Sequence, residues 1–326
     1  MHGGSWVVAA VTVGLSVVGW NALHRQPGGP WQAATREGAL LVGPAVLALV
    51  AGALVAERLW PAVARPFAAR GHRQDAAYLG LYVVAAVPTV TLLGTGAAVT
   101  LGRLDGGLTL GPFDGMPRWA FVVLALVMID FANWLAHWCN HRVTALWGYH
   151  SLHHSQEEMS ILTSFRAHPL VHTSFELIAL PLVVLGTAGA VPAPVLIGYI
   201  VLSTLPHANV RWSYGPLRSV VVSPAYHRLH HDENDLRGVN LGTVLVVWDR
   251  LAGRAVLPDR SAPPVATGLA GRPLPVEQDA AAAGWVVTMV RQLAAPLRLS
   301  ERVTPVPATS SWVSSAPVSL AQRSVL

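Results

Sequence analysis

Two copies of the pattern His-x-x-His-His, at His150, His153, His154 and again at His227, His230, His231, restrict this chain more than any other feature. A further pair, His137 and His141, stands just ahead of the first copy. On a helix, positions i, i+3 and i+4 share one face, so each set aims its rings in one direction. With 14 His in 326 residues, roughly 0.03 such patterns are expected by chance, and two copies about three times in ten thousand. Neutral imidazole is the commonest metal ligand, and eight of them exceed the four positions of one zinc ion. Two metal ions sharing a histidine cage fit better, and the fold must then bring distant segments to one spot.

Composition sets the medium. The chain is 52% hydrophobic and only 12% charged, with a mean hydropathy of +0.45; soluble domains carry about 25% charged residues. It reads as an all-α integral membrane protein. The net charge of +5 and the pI near 10.0 come from arginines scattered between apolar runs, so basic cytoplasmic loops account for them and no nucleic acid is expected. The single cysteine, Cys139, excludes an internal disulfide framework and a thiolate zinc cluster, and reads as a bystander on the other face of its helix.

Four apolar stretches are long enough to span a bilayer: Trp6 to Leu23, Ala39 to Leu59 with Glu57 and Arg58 near its end, Ala77 to Leu101, and Trp119 to Ala136. The first lacks the features of a cleaved signal and is expected to be retained. The segment Arg25 to Gly29 is a turn, and the loop with Arg65, Arg70 and Arg73 is basic, whereas Gly102 to Pro117 is Gly-rich and less basic. The positive-inside rule puts the basic loop in the cytoplasm, and two crossings later the histidines at His137 and beyond are cytoplasmic too.

Phe175 to Leu205 is apolar but broken by Pro181, Pro192 and Pro194 and by Gly186 and Gly189. A hairpin returning to the same side would set His207 and the last trio beside the first cluster. One straight crossing would separate them by the bilayer. Ala280 to Leu299 reads as an amphipathic interfacial helix, and the Ser/Pro/Ala-rich tail from Thr304 as disordered. The expected organisation is residues 1–76 as N-terminal membrane helices and basic loop, 77–254 as the catalytic region, 255–303 as loop and interfacial helix, and 304–326 as tail. In short, a bundle of about four spanning helices plus a broken hairpin carries a cytosolic histidine-rich cap.

Other residues stand out. Asp130, an acid inside an apolar span and seven residues before His137, is a candidate catalytic or substrate-pocket group. Asp232, Glu233 and Asp235 either orient ligand N–H groups or form a solvated acidic loop. Trp134, Trp138, Trp147 and Trp212 read as an interfacial aromatic belt. A histidine-lined metal transporter would distribute its ligands at membrane depth, whereas these sit at helix ends. A zinc hydrolase would need the His-Glu-x-x-His pattern, which is absent. No Glu lies three residues before a His, which excludes the carboxylate type of di-iron bundle.

Taken together, His137-x3-His141, Leu146-Trp147-x2-His150-x2-His153-His154-Ser155, Arg166-x-His168-Pro169, His207-Ala208-Asn209, Ser223-Pro224-x2-His227-x2-His230-His231 and Asn240-x-Gly242 with Trp248-Asp249-Arg250 resemble the fatty acid hydroxylase/sterol desaturase superfamily. The resemblance covers about Ala56 to Arg254. It implies a membrane-bound non-haem di-iron oxidase using O2, with His137, His141, His150, His153, His154, His227, His230 and His231 as iron ligands. His207 resembles an additional ligand, and His168 either ligates iron or supports the cage. The resemblance further implies a lipid substrate drawn from the bilayer, hydroxylated or desaturated, and a separate electron donor of the cytochrome b5 or ferredoxin/reductase kind. Two departures, Trp138 where the family usually has Arg and His172 near a usual acid, bear on substrate choice.

Overall fold

A computed structural model describes residues 3–23, 43–66, 71–86, 116–175, 193–233, 238–259, 261–269 and 284–298, with isolated positions between 89 and 100 and at 178. Part of Ala77 to Leu101 beyond Ala86, nearly all of the loop Gly102 to Pro117, the turn at Arg25 to Gly29, most of the first limb of the expected hairpin and the tail from Thr304 lie outside the described residues.

The described part is all helix and turn. Helix α1 (Gly3–Leu23) and α2 (Gly43–Leu59) are the first two apolar stretches, close to their expected bounds. Helix α3 (His72–Leu81) runs into a single π-helical turn at Tyr82–Ala86. Helix α4 (Arg118–Arg142) leads through Val143 into α5 (Thr144–His154). After a 3₁₀ turn (Ile161–Phe165) comes α6 (Ala193–Thr204), which continues into a second 3₁₀ turn (Leu205–His207). A third 3₁₀ turn (Gly215–Ser219), α7 (Pro224–His230), α8 (Val247–Leu251) and α9 (Gly284–Arg298) complete the order.

Among the described residues, α4 alone is long and apolar enough to cross a bilayer, against the expectation of about four spans. The physical reasons are specific. With 17 residues, α2 is roughly 25 Å long, short of an apolar slab about 30 Å thick. The third stretch starts earlier than expected, at His72, because Gln74, Asp75 and Tyr78 form a buried polar face rather than a loop. By contrast α4, at 25 residues, is roughly 37 Å long, so its last turns carry His137 and His141 beyond one apolar thickness. Its buried positions Ala125, Ala132, Ala136 and Asn140 recur at helical spacing and line the inward face.

The core that sets the site joins α2 to the two 3₁₀ turns: Val50, Ala53 and Ala56 pack on Ile161, Leu162, Phe165, Ala208 and Val210. Glu57, which looks like an interruption of an apolar span, is buried, and its Oε1 accepts the backbone N–H groups of Ile161 (2.7 Å) and Asn209 (3.1 Å). The Arg65 guanidinium stands 3.6 Å from Oε2. One carboxylate thus ties the end of α2 to the two segments that flank His168 and His207. Residues 220–222 and 244–246 pair antiparallel, with Val222 N–H donating to Val244 O and Val246 N–H to Val220 O, each at 2.9 Å. That ladder fixes α7 against the 240–246 loop.

Helix α9 packs on α1, α3 and α5. It buries Gln292, whose Oε1 accepts the Tyr78 hydroxyl at 3.0 Å, and exposes Val286, Val287 and Val290. Its amphipathic character is as expected.

α1 meets the helical residues around Leu92 without room for a side chain: a Cβ on Gly19 would stand 1.9 Å from Leu92 O, and one on Gly96 2.0 Å from Leu15 O. Backbone cannot yield that far. Gly19→Val should therefore lower the thermal midpoint of the detergent-solubilised protein by the equivalent of about 1–3 kcal/mol. An unchanged midpoint would mean that the two segments do not cross so closely.

Candidate metal centre

Four segments deliver imidazoles to one place. The last turns of α4 carry His137 and His141; a one-residue corner at Val143 (φ −94°, ψ 116°) reverses the chain into α5, which carries His150, His153 and His154. The 3₁₀ turn supplies His207, and α7 supplies His227, His230 and, at its C-cap, His231. Helix α7 begins at Ser223, whose hydroxyl accepts the Tyr226 N–H at 3.2 Å, followed by Pro224 in the first turn.

The nine rings fall into two groups in which the potential ligand atoms all lie within 4.8 Å of one another. One group is His137, His141, His150, His154 and His230; the other is His153, His207, His227 and His231. The division explains the repeated motif. Neighbouring residues on a helix point about 100° apart, so the adjacent pairs His153/His154 and His230/His231 cannot serve one centre. Each motif gives its i, i+4 pair to one group and its remaining histidine to the other. The groups adjoin where the His154 and His231 rings stack at 4.4 Å.

The second ring nitrogens show which atoms face inward. His137 Nδ1 lies 2.9 Å from Leu241 O, His230 Nδ1 2.9 Å from Val239 O, and His207 Nδ1 3.3 Å from Thr204 O. A carbonyl only accepts, so these nitrogens carry the proton and leave Nε2 as a bare lone pair. Nε2 of His137, His141 and His230 is buried without a hydrogen-bond partner. His207 Nε2 lies 3.0 Å from both His153 Nε2 and His227 Nε2; His227 and His231 approach to 3.2 Å, and His150 and His154 to 3.3 Å. At a metal–nitrogen distance of about 2.1 Å, two ligands of one ion are separated by roughly 3.0 Å at a right angle and 3.4 Å at the tetrahedral angle. The observed spacings are those of ligands around a cation, and the donor set fits two divalent transition-metal ions.

Electrostatics agree. Burial, then the neighbouring imidazoles, hold His150, His153, His154, His227 and His231 well below the usual histidine range. Burial and then His137 do the same for His230, and burial lowers His207 to about 4. At neutral pH these rings are uncharged and ready to ligate. Trp147 closes one side, its ring 5.1 Å from His141 and 5.4 Å from His154.

The carbonyls that orient the rings are themselves held. Asp249 accepts four hydrogen bonds: Leu241 N–H (3.0 Å), Gly242 N–H (2.7 Å), Trp134 Nε1–H (2.9 Å) and Tyr226 O–H (2.9 Å). It thereby fixes the loop that presents Leu241 O to His137 and the residue preceding His227. Asp130 is used similarly, accepting from Val244 N–H (3.0 Å), Leu245 N–H (3.1 Å), Trp248 Nε1–H (2.8 Å) and Tyr199 O–H (3.3 Å). All four donors belong to the scaffold, so Asp130 is placed as an anchor rather than as a group facing substrate. Asp75 receives Arg166 Nε–H at 2.6 Å and Gln156 Nε2–H at 2.7 Å, bracing the segment after α5.

His168 stands outside both groups, contrary to its place among the candidate ligands. Its Nε2 lies 3.0 Å from Leu293 O and its Nδ1 accepts the Leu170 N–H at 3.1 Å, which leaves no nitrogen for a metal. His172 is also outside, beside the Tyr82 ring at 5.9 Å. Cys139 joins neither group. Nor are Trp134 and Trp147 an interfacial belt: the first bonds Asp249 and the second is buried against the cage. Glu57 and Asp75 carry no signal as anchors beyond acid in a poorly charged chain, and Asp249 stands in the Trp248-Asp249-Arg250 motif without an anchoring role attached to it.

Comparison with known proteins follows the same residues. The fatty acid hydroxylase family matches residues 122–254. An ornithine lipid hydroxylase of Rhizobium tropici is 37% identical over 152 residues, 45% of this chain and 45% of that protein. The alkylglycerol monooxygenases of Danio rerio and Homo sapiens are each 28% identical over 44% of this chain and 31% of theirs. The chain thus spans less than half the length of these relatives. No solved structure matches.

Two outcomes follow. Asp249→Ala should weaken metal retention by roughly 10–100-fold, whereas His168→Ala should keep the wild-type metal content and lose thermal stability, as measured by elemental analysis and melting; metal loss in His168→Ala would restore it as a ligand. Second, His168, His172 and His207 are lowered from 6.5 to about 4, chiefly by burial. A depressed histidine favours the folded state above its unfolded pKa, so the metal-free protein should lose stability as pH falls from about 6.5 toward 4. A flat melting profile across that window would contradict the burial of these rings.

Proposed function

We propose that this chain, a member of the fatty acid hydroxylase/sterol desaturase superfamily, is a membrane-bound di-iron oxidase that hydroxylates a lipid. The observation that carries the reading is the pair of adjoining imidazole groups, nine neutral donors with no carboxylate among them. Imidazole donors suit iron, and incomplete coordination leaves positions for O2. When bound, the two ions would supply the O2 chemistry that attacks an unactivated C–H bond. In balance, one oxygen atom enters the C–H bond and the other leaves as water, with two electrons and two protons delivered from outside. Those electrons come from a separate donor of the cytochrome b5 or ferredoxin/reductase kind.

The protein's own part is positional. Backbone carbonyls of Leu241, Val239 and Thr204 fix three tautomers; Asp249 fixes the first of these carbonyls; Trp147 covers the cage and excludes water from that side. Helix α4 carries the first histidines to the end of an apolar rod, which suits an acyl chain entering from the bilayer and a metal centre at the cytoplasmic interface. Hydroxylation is preferred to desaturation because the relatives matched are named hydroxylase and monooxygenase.

Expression in a lipid-rich host, with mass spectrometry of extracted lipids, tests this. Wild type should yield a lipid heavier by one oxygen atom, and His153→Ala should not. Iron-loaded wild type that consumes no O2 with any lipid extract and a reductant would sink the oxidase reading; a product lighter by two hydrogens would replace hydroxylation with desaturation.

A further inference from the structure

Behind the histidine helix lies a second concave site. At about 100° per residue, His227, His230 and His231 occupy one side of α7, while Ala225, Arg228 and Leu229 occupy the other and line a groove of about 830 Å3. That is the size of a pocket for an organic ligand. Its other walls come from Ala62, from Arg211 and Trp212, and from Leu257 and its neighbours. A full helix separates it from the ligand nitrogens, so it is not the metal centre.

Its charge is unbalanced. Arg228 is 6% exposed, and its Nη2 donates to Asn209 Oδ1 at 2.9 Å. Neither Arg228 nor Arg211 forms an ion pair among the described residues. The acid closest in influence, Glu57, already serves two backbone N–H groups and Arg65. Asp259, on the groove wall, accepts from the N–H and hydroxyl of Ser261 in its own turn. Burial and the like charge of Arg65 bring Arg228 down to about 10, still protonated at neutral pH. A buried guanidinium without a counter-ion is costly, and guanidinium is the side chain best matched to phosphate and carboxylate. Tyr214 adds a phenol to the lining that burial keeps protonated, up to about 12.

The surroundings are those of a lipid surface. Trp60, 58% exposed at the end of apolar α2, and Trp212 lie 6.4 Å apart at the groove, an arrangement favoured at the headgroup level. Leu217, Val220 and Leu257 are exposed beside it, and an adjoining cavity is lined by Arg218.

We propose that this groove holds the headgroup of an anionic bilayer lipid, with Arg228 and Arg211 as its cationic contacts and the apolar walls receiving the first part of its chains. The site is separate from the di-iron centre, and its occupancy does not depend on the oxidase reading. The test uses the full-length protein in neutral detergent, titrated with phosphatidylglycerol, phosphatidylcholine or inorganic phosphate and read by native mass spectrometry. Wild type should bind one phosphatidylglycerol per chain about tenfold or more tightly than phosphatidylcholine. Arg211→Gln should remove that preference, and Ala62→Phe should block the groove without touching its charge; both should retain wild-type iron content and melting. Equal binding of the two lipids, wild-type binding by both variants, or displacement of the lipid by phosphate alone would overturn the proposal.

Discussion

The architecture depends on a hydrogen bond made facing away from the metal. Imidazole has two nitrogens, and a backbone carbonyl on one determines what the other can do. Leu241, Val239 and Thr204 place protons on Nδ1 of His137, His230 and His207, turning three Nε2 lone pairs inward. Lone pairs so arranged repel one another until a cation takes the space between them. The cage is held in shape by loops whose own hydrogen bonds are made within the protein. Of the two readings of Asp232, Glu233 and Asp235, orienting ligand N–H groups is not needed at His137, His207 and His230, where backbone carbonyls take that role and keep net negative charge out of the site.

Acids act one layer further out. Asp249, Asp130, Glu57 and Asp75 are all buried, and each accepts from backbone or side-chain N–H groups of segments remote in sequence. Burial disfavours a carboxylate, and at Glu57 and Asp249 it prevails, raising the carboxyl above its usual range although the N–H donors to each recover part of that cost. Each acid also fixes a helix against a segment elsewhere: Asp130, midway along α4, pins it to the segment before α8, and Glu57 pins the end of α2 to the first 3₁₀ turn at Ile161 and to Asn209 after the second. Loops that carry ligand-orienting carbonyls are otherwise the least constrained parts of a protein.

This layering explains what could be read in advance. Histidine spacing is a local signal, so the cage, α1, α2 and the amphipathic α9 were visible in sequence. Among the described residues one helix rather than about four meets the length and hydropathy of a span, because hydropathy counts apolar residues without knowing where the backbone turns: the buried polar face at Gln74 and Asp75 makes sense only beside Arg166, far along the chain. His168 and His207 are each a lone histidine between boxes, the first readable as ligand or support and the second as an additional ligand. What separates them is whether both ring nitrogens are consumed, as they are at His168 by the Leu170 N–H nearby and by the Leu293 carbonyl 125 residues along the chain. No local pattern encodes that.

The interlocking of the two His-x-x-His-His helices has a consequence for assembly. Were each motif to serve its own ion, α5 and α7 could bind metal independently and the chain between them would be free to close late. Instead His230 of α7 joins the group built on α4 and α5, while His153 of α5 joins the group built on α7 and His207. Neither site is complete until both helices are docked. The entropic cost of closing the long intervening chain grows only slowly with its length, and binding free energy at either ion counts toward that closure. Metal binding at either ion therefore favours the docked position of α7. The carboxylate anchors at Asp249 and Asp130 reduce the freedom left to be lost when it happens, because they already fix the loop that leads α7 to the cage.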